Sequence, residues 1–337
     1  MQDAAGPGAL STWRPEPFHP APWARGAHMQ TVLGRYLRRP PAPAFLRERV
    51  ETPDGDFVDL DFPAPPAPGA PLVLLVHGLE GSARRGYAIH VYRALAARGV
   101  GAVGLNFRFC SGEPNRTARM YHSGETEDIR HVLQLLAARF HSAPLGAVGF
   151  SLGGNALLKY LGEEGAAAPV RVAAAVSVPY DLAAGADALN ASWAGRRYAA
   201  HFVRSLVRKA EAKAALIQDR CDLARVRAAR SFRDFDEYAT APIHGFAGAA
   251  DYYARSSAAG FLPAFRVPTL LVHARDYPCL PWDAFPAAAV AANPALRAVV
   301  TARGGHVGFM AGPPWAPRFW AERQVASWLA AGLTGSA

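Results

Sequence analysis

Cysteine is scarce in this chain of 337 residues. Only Cys110, Cys221 and Cys279 occur, too few and too scattered for a disulfide framework or a zinc site. No apolar run reaches the roughly 18 residues that a membrane span needs. Positions 1–23 lack the basic start and apolar core of a secretory signal. These absences predict a cytoplasmic protein with no integral membrane segment.

Lysine is also rare, although the chain is basic. It has 36 basic and 27 acidic residues and a net charge of +9, and only Lys159, Lys209 and Lys213 are lysines. A basic chain can have an anionic partner such as nucleic acid or a membrane surface. Here the arginines are spread along the chain and form no dense basic run. A coding bias toward arginine would produce such a spread. We therefore expect no nucleic-acid partner, and attraction to anionic lipid headgroups remains an open alternative.

Motifs for cofactors are missing as well. No phosphate-binding loop, dinucleotide-binding fingerprint or cluster of metal ligands occurs, so we expect neither a cofactor nor a metal. Hydrophobic residues make up 51% of the chain and charged residues 19%, which is typical of a globular protein with a sizeable core.

Proline divides the chain unevenly, with 14 of the 28 prolines in the first 71 positions. We predict that residues 1–46 form an extended, proline-rich arm. Residues 47–52 and 57–61 alternate in polarity around the turn at 53–56, a pattern that predicts a β-hairpin.

Apolar runs and amphipathic stretches alternate along most of the remaining chain. Runs at 72–76, 100–105, 145–150, 172–178, 269–273 and 296–301 predict buried parallel strands. Stretches at 88–98, 126–140 and 152–161, together with a closing segment around 321–329, have helical spacing. The alternation predicts an α/β fold with a mostly parallel, doubly wound sheet.

One long segment interrupts this alternation. Residues 181–262 are rich in alanine and arginine and contain no clear strand, so we predict a helical cap inserted over the sheet. The core would then consist of residues 47–180 and 263–333 on either side of the cap.

The pentad Gly149–Gly153 has the pattern G-x-S-x-G, with Ser151 at its centre. An apolar strand leads into the pentad and a helix leads out, which is the setting of a nucleophile elbow. The alternative is a glycine-rich loop of no catalytic significance. A catalytic serine needs a base within hydrogen-bond reach and a third group that orients the base.

The base and the acid should follow the elbow in chain order, acid first. His306 is the candidate base, in a glycine-flanked loop after the last strand. Asp276 is the first candidate for the acid because it follows the strand at 269–273. Asp283 and Asp181 are the alternatives, and Asp276 could instead only cap a turn before Pro278.

An oxyanion hole requires backbone N–H groups directed at the developing negative charge. We expect one from Leu152, directly after the nucleophile, and one from Leu79, in the loop after the strand at 72–76. For His77 in that loop, we favour a role in ordering the loop over one in proton transfer.

At this point the motifs resemble a known family, the YheT-like α/β hydrolases, over about residues 18–309. The matching segments are His28–Thr31, Pro53–Phe57, His77–Ser82, Asn106–Asn115, Tyr121–Asp128, Gly149–Asn155, Ser177–Leu182 and Gly304–Phe309.

The resemblance implies an α/β-hydrolase fold, a Ser-Asp-His triad and lipid-metabolic activity on carboxylic esters, either short- to medium-chain acyl esters or monoacylglycerol-like lipids. It assigns the nucleophile to Ser151 and the base to His306. Two departures stand out. The family's acid loop usually carries two adjacent aspartates, whereas this chain has Asp276 and Tyr277. Phe109 replaces a usual glycine, and we expect it to narrow the acyl pocket.

The sequence therefore predicts a serine esterase that forms an acyl-enzyme on Ser151. One alternative is an acyltransferase that uses the same acyl-enzyme. The other is a non-catalytic scaffold that has lost its acid.

Overall fold

The computed structural model describes residues 8–335, and an eight-stranded sheet forms their centre. The spatial order of the strands is β1-β2-β4-β3-β5-β6-β7-β8. Their bounds are β1 Leu46–Glu51, β2 Phe57–Phe62, β3 Leu72–Val76, β4 Gly101–Asn106, β5 Leu145–Phe150, β6 Val172–Val176, β7 Thr269–Ala274 and β8 Leu296–Thr301. Strands β3 to β8 run parallel to one another. A separate two-stranded ribbon pairs β9, Met310–Ala311, with β10, Arg318–Phe319.

The two faces of β3 belong to two different hydrophobic clusters, which explains why the whole strand is apolar. Leu72 and Leu74 pack in one cluster with residues of the helices Glu127–Arg139 and Leu152–Glu164. Val73 and Leu75 pack in the other cluster with residues of Gly86–Ala96 and Trp320–Thr334. Because side chains alternate across a strand, a strand covered on both faces needs apolar residues at every position.

Helices lie along the whole chain. Those before the cap region are α1 Gly8–Thr12, α2 Ala27–Leu37, α3 Gly86–Ala96, α4 Glu127–Arg139 and α5 Leu152–Glu164. The cap region contains α6 Leu182–Ala191, α7 Trp193–Ala212, α8 Ala214–Ile217, α9 Leu223–Ala228, α10 Phe232–Phe235, α11 Ala241–His244 and α12 Ala249–Ser256. The C-terminal part contributes α13 Ala287–Ala292 and α14 Trp320–Thr334.

Hairpin β1–β2 extends the sheet at its antiparallel edge. The predicted hairpin is confirmed, with Val50 opposite Val58 and the turn between Glu51 and Phe57. All of β2 is buried, including two aspartates, which the sequence pattern does not predict. Asp59 pairs with Arg49 at 2.9 Å, and Asp61 pairs with Arg47 at the same distance. These ion pairs satisfy the carboxylates that β2 buries.

The predicted α/β fold with a doubly wound sheet and a helical cap is confirmed. Every predicted strand forms, and no strand forms within residues 181–262, all of which the structure describes. The cap has its own small core, in which Val203 and Leu206 of α7 pack with Val226 and Phe235. The subdivision into arm, core and cap remains a prediction.

The proline-rich arm was predicted to be extended, but it contains helices. Residues 1–7 lie outside the described part, and the remainder of the arm contains the helix α2 as well as the short α1. Residues 23–39 contain no proline, so nothing prevents a helix there. Gly34 of α2 would carry a Cβ only 3.2 Å from the Cα of Gly308, so α2 packs tightly on the loop that holds His306.

Candidate active site

Ser151 lies in the turn between β5 and α5, where the backbone is strained. Its φ is +53° and its ψ is −121°, a conformation that L-residues rarely adopt. Its backbone N–H donates a hydrogen bond of 2.9 Å to the carbonyl of Val176 on the neighbouring strand β6. A Cβ at Gly153 would lie 2.3 Å from the carbonyl oxygen of His77, so no side chain fits there. The geometry is that of a nucleophile elbow, as the pentad predicts.

Two backbone N–H groups lie near this turn without a hydrogen-bond partner in the described part of the chain: those of Leu79 and Leu152. Leu152 is the first residue of α5, so its N–H has no acceptor within the helix. The loop that carries Leu79 passes close to the nucleophile, since a Cβ at Gly78 would lie 3.1 Å from the Cβ of Ser151. The predicted oxyanion donors therefore lie on the two segments that meet at Ser151.

The ring of His77 holds this loop in place. Its Nδ1 lies 2.7 Å from the carbonyl oxygen of Gly78, and its Nε2 accepts a hydrogen bond of 3.2 Å from the N–H of Phe107. Nδ1 must therefore carry the proton. Burial lowers the pKa of His77 to about 4, so the ring stays neutral. The prediction that His77 orders the loop is confirmed.

Glu80 connects the same loop to the cap, a role that the sequence did not reveal. The residue has a φ of +51°. Its carboxylate accepts hydrogen bonds from Tyr121 and Lys209, each at 2.7 Å, and from the hydroxyl of Ser205. Lys209 and Ser205 belong to α7, so the loop that carries Leu79 and the main cap helix share a partly buried ionic contact.

The loop with His306 lies after β8, and α2 supports it from one side. The backbone N–H of His306 donates to Thr31 Oγ1 at 2.9 Å. The guanidinium of Arg38 donates to the carbonyls of Val307 and Gly308, the latter at 2.7 Å. The helix missing from the prediction thus positions the candidate base.

Two side chains from the ends of the sheet strands support the loop from the other side. Ser177, which follows β6, accepts a hydrogen bond of 3.1 Å from the N–H of Val307. Asp276, which follows β7, accepts one of 2.9 Å from the N–H of Gly305. Partial burial raises the pKa of Asp276, and hydrogen bonds from backbone N–H groups, that of Gly305 first, oppose the rise.

The three candidate acids lie near the expected edge of the sheet, but none is hydrogen-bonded to the His306 ring. The carboxylate of Asp276 binds the backbone of the histidine loop, Asp181 caps the first turn of α6, and Asp283 lies in an exposed turn. His306 Nδ1 is shielded from solvent and has no hydrogen-bond partner among the described residues. The contact expected between Asp276 and His306 Nδ1 is thus not formed, and the role of Asp276 as triad acid remains a prediction.

Tyr277, not a carboxylate, packs against the imidazole. The two rings are stacked, with centroids 5.2 Å apart and planes inclined by 21°. The Tyr277 hydroxyl interacts with the side chains of Ser151 and Cys279. Burial raises the pKa of Tyr277 well above its usual value, so the phenol is neutral. One tyrosine therefore contacts both the candidate nucleophile and the candidate base.

The imidazole of His306 is neutral at neutral pH. Burial, together with the nearby positive charge of Arg38, lowers the pKa of His306 to about 4. The ring is therefore neutral at pH 7, as a general base must be.

A cavity of about 760 Å³ opens over these residues, between α2 on one side and α6 and α7 on the other. Its lining is mainly apolar, and Ser151, Tyr277 and His306 lie in its wall. Residues from the cap that line it are Leu182, Gly185, Ala186, Leu189, Tyr198, His201, Phe202, Phe232, Asp236, Tyr252 and Tyr253. Phe109 does not line the cavity, contrary to the expectation that it narrows the pocket. Its ring lies under the ammonium group of Lys209 at 5.4 Å.

Arginines surround the mouth of this cavity. Partial burial lowers the pKa of His201 on α7, and the positive charges of Arg35, Arg204, Arg208 and Arg85 lower it further. Arg35 lies on α2, and Arg204 and Arg208 lie on α7. The mouth is therefore cationic, whereas the interior is apolar.

A second cavity, of about 1060 Å³, lies elsewhere and is lined largely by polar residues such as Arg119, His122 and Glu125. Neither Ser151 nor His306 lines it, so it is not the site described above. Within residues 8–335, no group of three or more His, Cys, Asp or Glu could hold a metal ion. In the same range, no helix is long and apolar enough to cross a membrane.

Comparisons with known proteins agree with this geometry. Residues 71–313 match the family described as alpha/beta hydrolase fold. The chain is 39% identical to YheT of Escherichia coli (strain K12), for which an esterase activity is suggested, over 93% of this chain and 92% of that protein. It is 29% identical to the phospholipase ABHD3 of Mus musculus, over 88% of this chain and 74% of the relative. An esterase of Pyrococcus furiosus, Pf2001, has a similar fold, with a TM-score of 0.57 and 15% identity over 86% of this chain and 91% of that one.

Proposed function

The chain belongs to the alpha/beta hydrolase fold family, and from this premise we propose that it is a serine hydrolase that cleaves carboxylic esters. One observation carries the proposal: Ser151 lies in a strained turn, in the wall of an apolar cavity, beside two N–H groups that have no partner among residues 8–335. Strained residues persist where the surrounding structure enforces them, and they cluster at active sites.

Acylation begins with attack of Ser151 Oγ on the ester carbonyl carbon. The Oγ–H proton moves to Nε2 of His306, and the carbonyl π electrons move to the oxygen. The N–H groups of Leu79 and Leu152 stabilise this oxyanion. When the tetrahedral intermediate collapses, the bond to the leaving oxygen breaks and His306 gives its proton to the departing alcohol.

Deacylation repeats these steps with water. His306 accepts a proton from the water as its oxygen attacks the acyl carbon, and the same N–H pair again holds the oxyanion. Collapse releases the carboxylic acid and returns the proton to Ser151. In the predicted triad Asp276 orients His306, and its hydrogen bond to Gly305 supports a positioning role through the loop backbone.

For the substrate we propose short- to medium-chain acyl esters or monoacylglycerol-like lipids. A cavity of about 760 Å³ with an apolar lining accommodates an acyl chain. The names of the esterase and phospholipase relatives point to the same bond type.

An acyltransferase would use the same acyl-enzyme with an alcohol or amine in place of water. Adding an acceptor alcohol and analysing the products for a new ester distinguishes the two reactions. A non-catalytic scaffold is the other alternative, and the absence of a carboxylate bound to the His306 ring in the described residues favours it.

A fluorophosphonate probe, which reacts with activated serines, tests the proposal. We expect the wild type to be labelled, Ser151→Ala to be unlabelled, and ester hydrolysis to fall by at least about 10³-fold in that variant. Ser142→Ala, at an exposed position after α4, is the matched control and should behave as wild type. A folded wild type that is neither labelled nor active on esters would favour the scaffold.

A further inference from the structure

The His306 ring has a buried nitrogen that nothing in the described residues satisfies. Nδ1 is the atom that an orienting carboxylate binds in a catalytic triad. Here Nδ1 is shielded from solvent and lacks a partner. The nearest candidate acid, Asp276, directs Oδ1 at the backbone of Gly305 instead.

Two further buried polar atoms in the same region also lack partners: Nδ1 of His273 and the hydroxyl of Tyr180. The His273 ring lies 5.0 Å from the ring of Tyr277 and 5.6 Å from that of Tyr180. The environment behind His306 is therefore aromatic and contains neutral groups.

The charged and titratable groups that face His306 come from two elements. Arg38, directly after the end of α2, contributes a positive charge. His273 at the end of β7 interacts electrostatically with His306, and Tyr277 from the loop after β7 stacks on its ring. None of these groups can neutralise an imidazolium ion.

We propose that Ser151 and His306 act as a dyad in which Tyr277 takes the place of the orienting carboxylate. The inference rests on the proposed function. Tyr277 holds the imidazole by stacking and contacts the nucleophile through its hydroxyl, while the backbone contacts from Thr31, Arg38 and Asp276 fix the loop.

The dyad changes the energetics of acylation without changing its stoichiometry. The proton of Ser151 still moves to His306 Nε2 as the Oγ–carbon bond forms. The resulting imidazolium has no carboxylate beside Nδ1, because the neutral phenol of Tyr277 can supply only a dipole. A carboxylate introduced at position 277 should therefore stabilise the imidazolium and accelerate acylation.

The pKa of His306, followed by NMR in protein carrying ¹³C-labelled histidine, tests the dyad independently of activity. The signal is assigned from the spectrum of His306→Gln. We expect Asp276→Asn to leave this pKa within about 0.5 units, because asparagine still accepts from Gly305. Tyr277→Asp should raise it by about one unit or more, since an adjacent opposite charge favours the charged form. Asp283→Asn, an exposed change in the same loop, is the matched control.

Kinetics provide the second readout. Loss of an orienting acid costs on the order of 10⁴ in kcat in a serine-protease triad. We expect Asp276→Asn to keep kcat within about ten-fold of wild type and Tyr277→Asp to increase it. Tyr277→Phe, which keeps the stacked ring, should fold even if the aspartate variant does not. It should preserve the position of the His306 signal and slow probe labelling, because the contact to Ser151 is lost.

A fall of one unit or more in the His306 pKa in Asp276→Asn, or a 10³-fold loss of kcat, would overturn the dyad and make Asp276 the acid. The proposed function would survive that result. An unlabelled wild type would instead contradict the proposed function, and the NMR titration would still decide which group faces Nδ1.

Discussion

Thr31 Oγ1 accepts a hydrogen bond of 2.9 Å from the backbone N–H of His306, across 275 positions of the chain. The same hydroxyl donates to the carbonyl of Ala27 within α2, at 2.8 Å. The candidate base is therefore fixed to a helix that precedes the sheet in sequence. This contact makes the N-terminal segment part of the candidate active site.

Replacing Thr31 by valine keeps the shape of the side chain and removes the acceptor for His306. We expect kcat to fall by between about 10-fold and 100-fold, because small displacements of a catalytic group are costly. Thr334→Val is the matched control, since Thr334 also donates to the carbonyl four residues earlier in its helix but is far from the site. Equal kcat values for the two variants would show that α2 does not position His306.

The Arg38–Glu322 ion pair supports the same loop. The two side chains are almost fully buried and lie 2.6 Å apart. Arg38→Ala leaves the carboxylate of Glu322 buried without its partner, so we expect a loss of about 3–5 kcal/mol in the free energy of unfolding, measured in urea. Arg323→Ala removes an exposed ion pair with Glu16 and should lower the free energy of unfolding by no more than about 1 kcal/mol. Similar losses in both variants would contradict this distinction.

The pH dependence of kcat/KM reports the protonation of His306 in the free enzyme. A general base works only when neutral, and the pKa of His306 is lowered to about 4 by burial and by Arg38. We expect kcat/KM to be nearly constant from neutral pH down to about pH 5 and to fall as the pH passes about 4. An acid limb near pH 6.5, the ordinary range of histidine, would show that the imidazole is more solvated than in the structure.

Buried histidines predict that acid destabilises the fold. Burial lowers the pKa of His77 and His306 to about 4 and that of His273 to about 3. Below pH 6.5 the unfolded chain binds protons that the folded chain does not, so stability is lost as the pH falls from about 6.5 toward 4 and 3. At pH 5 each such histidine lowers the free energy of unfolding by on the order of 2 kcal/mol.

Replacing His273 by phenylalanine tests this linkage. His273 packs among aromatic rings, and its Nδ1 has no partner in the described part of the chain, so phenylalanine fits the site. The free energy of unfolding, measured in urea, should fall between pH 8 and pH 5 in both proteins. We expect the fall to be about 2 kcal/mol smaller in the variant than in the wild type. His141→Phe, at an exposed position, should leave the slope as in wild type. An unchanged slope in His273→Phe would contradict the prediction.

The arginines at the cavity mouth predict a preference among substrates. An ester with an anionic group outside the cavity should have a lower KM than a neutral ester of the same size, and added salt should reduce the difference. We expect Arg35→Ala to raise KM for the anionic ester by about three- to ten-fold without changing KM for the neutral one. Arg266→Ala, away from the mouth, is the control. Equal KM values for both esters in the wild type would exclude a role for these charges.

Hydrophobic patterning was sufficient to predict the sheet, because a parallel strand buried on both faces must be apolar throughout. Val73 and Leu74 point to opposite faces and pack in different clusters. The helix α2 was not predicted, because it follows a proline-rich stretch and exposes Met29, Val32 and Tyr36, so its pattern is not that of an ordinary amphipathic helix.

The strand, turn and helix around Ser151 could be predicted from local sequence alone. The glycines around Ser151 allow only a tight strand-to-helix turn, and the flanking residues are those of a buried strand and a helix. His306 could also be identified, because the loop after the last parallel strand ends at the same edge of the sheet as Ser151. These are local properties, set by backbone sterics and by the order of strands.

Which side chain faces His306 depends on the three-dimensional fold and could not be predicted. Asp276 and Tyr277 are adjacent, and the direction of the backbone after β7 sends the carboxylate to the N–H of Gly305 and the aromatic ring to the imidazole. No local pattern specifies that choice, because it depends on the loop position that α2 fixes from the far end of the chain. The environment of the candidate base is therefore a property of long-range packing.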